Sequence, residues 1–186
     1  MIHSGVAPRP EETSAALAGD DVVPVPDTIM DRAFTLPVPP ERAWPWFAQL
    51  GKNRAGWYLP TWAERVVPVR RRALRHLDPA LQHLRPGDVI DDWGGRDATF
   101  EIVTHDPPHT LVHRSRRGHL ALSWAIALRP ETRPGGTAAT RVHLRLRMVG
   151  VRHRRLAEYG GGLIDLLTIA GLAAGLRERV LAAAPR

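Results

Sequence analysis

Three histidines, His105, His109 and His113, stand four residues apart. On a helix that spacing would bring ring nitrogens toward one metal ion. Pro107 and Pro108 exclude a continuous helix there. On a strand, His109 and His113 would share a face about 13 Å apart, too far for one ion. No metal or other cofactor is implied. Ser4, Ser14, Ser115 and Ser123 lack a Gly-x-Ser-x-Gly setting. Gly160, Gly161 and Gly162 precede a helix but lack the Lys-Ser/Thr of a phosphate loop. The chain has no cysteine, so thiolate chemistry and disulfides are excluded. Acid–base chemistry remains. Tyr58, Asp91, Glu101, His113, His119 and Ser123 lie on or beside candidate strands. A few such groups in an apolar wall could orient a substrate and move protons.

The aromatic residues are the second informative set: Trp44, Trp57, Tyr58, Trp62, Trp93 and Trp124. Their rings serve a core or line a pocket for a flat apolar ligand.

These residues must be placed by regular elements. From Leu163 onward, Leu166, Leu167, Ile169, Leu172, Leu176 and Val180 recur at helical spacing. Ala170, Gly171, Ala173, Ala174 and Gly175 lie between them. A helix this apolar requires cover. Its small residues either admit a close backbone neighbour or leave a void. The uncharged run is too short for the roughly 20 residues of a membrane span. Arg177 and Arg179 suit the negative end of the helix dipole.

Thr28 to Leu36 reads as a first strand, with Arg32 interrupting its apolar face. Two helices follow, a proline-led one at Pro39–Leu50 and a short one at Thr61–Val67 that Pro68 stops. A run of strands comes next. In His119–Leu128 large residues alternate with small ones. In Thr140–Met148 apolar residues alternate with Arg141, His143, Arg145 and Arg147, as on a strand with a charged solvent face. Strands segregated from helices indicate an α+β domain over residues 28–186. We expect a curved antiparallel sheet around the long C-terminal helix. Residues 1–27, rich in Pro, Ala and acids, read as a mobile tail.

The formal charge is +7, and Lys52 is the sole lysine among 26 basic residues. The arginines are spread along the chain, and the Arg70–Arg75 run has no aromatic residues interleaved for base stacking. Nucleic-acid binding is therefore not expected. No secretory signal pattern opens the chain, so a cytoplasmic protein is expected.

The order of elements resembles the START-like or SRPBCC helix-grip superfamily. Pro39-Pro-Glu-Arg-Ala-Trp-Pro-Trp-Phe47 enters its first helix, and Gly51-x-x-Arg54-x-Gly56-Trp57-Tyr58 is similar to an uncharacterised bacterial branch, as are Leu84-x-x-Gly87-Asp88-Val89 and Ser123-Trp124. The resemblance implies a cavity between sheet and terminal helix for a small hydrophobic or amphipathic molecule, without implying one chemistry. Candidate lining residues are Trp57, Tyr58, Trp62, Phe100, His113, Ser123, Trp124, Leu163, Leu167 and Gly171. Binding or carriage is the favoured reading. The alternatives are a polyketide cyclase or aromatase using one inward acid–base residue, and an interaction module presenting Arg141, Arg145, Arg147 and Arg152.

Overall fold

The computed structural model describes residues 5–151 and 162–183. A short helix α1 (Pro10–Ser14) precedes strand β1 (Thr28–Leu36) and helices α2 (Pro40–Gln49) and α3 (Thr61–Glu64). Five strands follow: β2 (Val89–Asp91), β3 (Thr99–Asp106), β4 (Thr110–Arg117), β5 (Leu120–Thr132) and β6 (Ala138–Val149). Helix α4 (Gly162–Ala182) ends the described chain. The six strands form one curved antiparallel sheet in the order β1-β6-β5-β4-β3-β2. The expected α+β helix-grip architecture is the one observed, with α4 packed on the inner face.

Alternation along the long central hairpin sets the two faces of the sheet. Trp124 pairs with Leu146, Ile126 with Leu144 and Leu128 with Val142, which puts large apolar side chains together on the inner face. Ser123 pairs with Arg147, Ala125 with Arg145 and Ala127 with His143 on the outer face. A slip of one residue would exchange the two sets. Along α2, Ala43, Trp44, Trp46, Phe47 and Ala48 are buried against the sheet's inner side.

The outer face differs from its reading as a solvent face. Residues 5–27 run across it as a strap, not as a mobile tail. Val6 is buried, and its carbonyl accepts the Ala33 amide of β1 at 3.1 Å. Glu12 accepts from Arg141 Nε and Nη2, both at 2.7 Å. Arg145, only 3% exposed, donates to the carbonyls of Ala15, Thr13 and Glu12 and pairs with Asp20 and Asp31. Gly19, at φ +91°, lies directly on Val112 of β4, so any larger residue there would collide. Small residues on the outer side of β5 make room for this layer. The alanine–arginine alternation thus encodes a covered face whose guanidinium groups find carbonyls and carboxylates in the strap.

Helix α4 is covered unevenly. Ile169, Leu172, Leu176 and Val180 are buried, whereas Ile164 and Leu167 are well exposed. Its glycines do not face the sheet. A Cβ on Gly175 would stand 2.7 Å from the Tyr58 and Leu59 backbone, and one on Gly171 would stand 3.0 Å from Leu59 Cδ2. The small residues therefore admit the loop between α2 and α3. Arg179 does more than complement a dipole. Fully buried, it donates to the Leu59, Leu74 and Gly175 carbonyls and pairs with Glu64 at 2.6 Å. Its guanidinium carbon lies 4.7 Å from the Tyr58 ring centre.

Candidate ligand cavity

The void between sheet and helix lies beside the N-terminal half of α4. Its volume is about 360 Å³, near the low end of the roughly 300–1,000 Å³ of small-molecule sites. The floor is the inner face of the sheet: Met30 of β1, Phe100 of β3, Leu120, Leu122 and Trp124 of β5, and Leu146 and Met148 of β6. Ile164, Thr168 and Ile169 of α4 form the opposite wall, and Trp57 and Trp93 close the side.

The indoles are mutually braced. Trp57 and Trp124 are stacked with centroids 6.1 Å apart, and Trp57 meets Trp93 edge-on at 5.2 Å. Trp57 Nε1 donates to the Thr168 carbonyl at 3.4 Å, tying the indole to α4. Behind the wall, His113 stacks on Trp124 at 5.1 Å and meets Phe100 at 5.3 Å. Its Nδ1 lies 3.3 Å from the Trp124 carbonyl. Burial pushes the His113 imidazole down to about 4, so it is neutral at physiological pH.

Two ion pairs, from opposite edges of the sheet, interrupt the apolar lining. Arg32 of β1 reaches Asp165 of α4, with Nε 3.0 Å from Oδ2. The interruption seen on the apolar face of the first strand is therefore half of a helix–sheet pair. Burial raises the Asp165 carboxyl above the usual carboxylate range, against the pull of Arg32. At the other edge Arg117 pairs with the buried Asp92 and packs directly on Gly94, which leaves no room for a Cβ. Arg117 Nε also donates to Ser115 Oγ at 3.3 Å.

Of the ten lining candidates, Trp57, Phe100 and Trp124 border this cavity. His113 is one layer behind. Tyr58 is a fully buried core residue whose hydroxyl donates to the Trp46 carbonyl at 3.0 Å. Ser123 is buried on the outer face, where its strand alternation carries it. Trp62 and Leu167 are exposed, and Gly171 faces Leu59. The Leu163 side chain lies outside the described residues. Asp165, Arg117 and Asp92 escaped the sequence reading. A single acid in the apolar run Leu163–Leu176 was the available signal for Asp165. His105, His109 and His113 are not gathered, and no cluster of metal-ligating side chains exists among the described residues.

No protein-family model and no curated protein matches the sequence. Solved structures do. A Rhodobacter sphaeroides protein superposes with a TM-score of 0.51 at 15% identity, covering 87% of this chain and 97% of its own. A START superfamily protein from Mycobacterium smegmatis gives a TM-score of 0.43 at 10% identity, covering 84% of this chain and 99% of its own. CalU16 from Micromonospora echinospora gives 0.46 at 17%, covering 85% and 88%. The likeness to the Rhodobacter sphaeroides protein is one of fold alone. Chemistry must therefore be argued from the cavity itself.

Proposed function

We propose that this chain binds or carries a compact hydrophobic or amphipathic molecule in the cavity between sheet and α4. The apolar, tryptophan-walled void carries this reading. Its size suits a flat ring system better than a long acyl chain. The indoles offer faces to such a ligand, while Asp165 with Arg32 and Arg117 with Asp92 offer polar anchors. No helix among the described residues is long and apolar enough to cross a membrane, and a cytoplasmic location is part of the proposal. Titration of the full chain with an anilinonaphthalene sulfonate probe tests the reading. We expect saturable quenching of indole emission, with competition by flat apolar molecules. An unsaturable response, together with no retained molecule in native mass spectrometry, would overturn it.

A second reading is favoured by one observation, the elevated Asp165 carboxyl at an apolar wall. In that reading Asp165 is the acid–base group of a polyketide cyclase-like reaction. Asp165→Asn would then abolish turnover of a polyketone substrate while leaving probe binding intact. The interaction-module reading loses its basis at Arg141, Arg145 and Arg147, which the strap engages. Arg152 lies outside the described residues.

A further inference from the structure

The segment 61–72 departs from the rest of the surface. Trp62 is 73% exposed, Val66 88% and Val69 76%, all within eight residues. Single exposed apolar residues are ordinary, but three together demand an explanation. The segment is not a loose excursion. Thr61 donates through its amide and hydroxyl to Glu178, and Glu64 is held by Arg75 at 2.7 Å and Arg179 at 2.6 Å. Arg72 Nε donates to the Val67 carbonyl at 2.9 Å, folding the segment onto itself. Helix α3 and the turn after it are thus anchored to the C-terminal part of α4, with the apolar side chains outward.

Within the segment the exposed charge has one sign, and the neighbouring Glu178 is already paired with Arg75. Residues 61–72 carry Arg65, Arg70, Arg71 and Arg72, all exposed, against Glu64, which is buried and already paired. Arg65, Arg70 and Arg71 make no ion pair among the described residues.

We infer that this patch docks the protein on an anionic lipid surface. Trp62 would sit at the headgroup level, Val66 and Val69 would enter the acyl boundary, and Arg65, Arg70 and Arg71 would meet lipid phosphates. An indole surrounded by arginines is the combination a membrane interface accommodates. A nucleic acid would use the arginines and one indole but would leave Val66 and Val69 in water. The inference stands apart from the cavity reading, because none of these residues borders the cavity.

The test is sedimentation of the full chain with two kinds of vesicle, pure phosphatidylcholine and equal parts phosphatidylcholine and phosphatidylglycerol. We expect binding to the anionic vesicles only, weakened by salt. Arg70→Glu with Arg71→Glu should weaken it roughly twentyfold or more, at about fivefold per arginine. Arg133→Glu, in the exposed β5–β6 loop, should leave it within twofold. Brominated phosphatidylcholine in the anionic vesicles should quench wild-type indole emission. Trp62→Phe should remove most of that quenching while still sedimenting. Absence of anionic-vesicle binding at low salt, equal loss on Arg133→Glu, or quenching that survives Trp62→Phe would each overturn the inference. So would single-stranded DNA that binds the patch and displaces it from vesicles.

Discussion

The two faces of the sheet are built from the same two strands and solve opposite problems. The outer side of β5 and β6 is small residues alternating across to Arg141, His143, Arg145 and Arg147. It is covered by residues 5–27, whose carbonyls and carboxylates receive Arg141, Arg145 and Arg147, while His143 is held by Asp31 of β1. The inner side is large and apolar, yet its partner α4 leaves about 360 Å³ unfilled. Polar groups with fixed directions specify a tight cover, whereas apolar groups tolerate a gap. A face able to accept a foreign molecule is therefore the oily one. The charged one is committed to its own chain.

The comparison breaks most severely at Arg145. Its guanidinium is buried and holds Asp31 at 2.8 Å, beside His143 Nε2 at 2.6 Å from the same carboxylate. Arg145→Met removes one partner of a buried network and leaves Asp31 short of a cation. We expect a loss of about 3–5 kcal/mol, read as a lower urea midpoint, with proteolysis in the strap appearing first. If the strap were only loosely laid on, the same variant would cost less than about 1 kcal/mol, as exposed pairs do.

Acid separates the faces by pH. On the inner face the folded-state His113 titrates at about 4, below its ordinary 6.5. A depressed base favours the fold fully above 6.5 and loses that contribution as pH falls toward 4, on the order of 3 kcal/mol. On the outer face burial opposes ionisation of Glu12, but the Arg141 hydrogen bonds prevail and hold it at about 2 against 4.5. That contribution is present above 4.5 and is lost as pH falls toward 2. Urea midpoints against pH should therefore decline in two stages. His113→Gln should flatten the upper stage and Glu12→Gln the lower. A single stage untouched by His113→Gln would refute the assignment.

Periodicity made the inner face legible. Strand alternation and helical spacing identified the strands and the long helix, whereas the grouping of Trp57, Phe100 and Trp124 around one cavity was implied only by the resemblance to helix-grip proteins. The strap was not legible, because its order comes from arginines about 130 residues away along the chain. An alternating Arg strand reads locally as solvated; only tertiary structure shows what covers it. Likewise, Arg32 and Asp165 each look like blemishes on apolar faces until the ion pair joins them. Trp62 illustrates the converse. Aromatic character alone does not distinguish a cavity wall from an exposed patch: Trp57 lines the cavity and Trp62, five residues later, is exposed.

Gly175 is where α4 meets the loop bearing Trp57, so it sharpens the question of how the cavity wall is held. An added Cβ would press on the Tyr58 and Leu59 backbone at 2.7 Å, and backbone cannot swing aside. Gly175→Ala should cost about 1–3 kcal/mol by overpacking and shift the Trp57 emission. Gly171→Ala meets only the tip of Leu59 at 3.0 Å and should cost less. Equal effects in thermal melts of the two variants would show that the loop does not rest on Gly175.

The smallest change in stability should accompany the clearest change in binding. Leu146 pairs with Trp124 across β5 and β6 and borders the cavity. Leu146→Trp grows a ring into open space, so the fold should lose little or gain slightly, unlike an insertion into a filled core. The same ring occupies volume a ligand needs. Affinity for the anilinonaphthalene sulfonate probe should fall at least about tenfold, equivalent to about 1.4 kcal/mol. Unchanged affinity with unchanged stability would place the probe elsewhere. A large drop in melting temperature would mean that the space beside Leu146 is already taken up by the protein's own side chains. Either result would remove the distinction between an inner face left open and an outer face sealed.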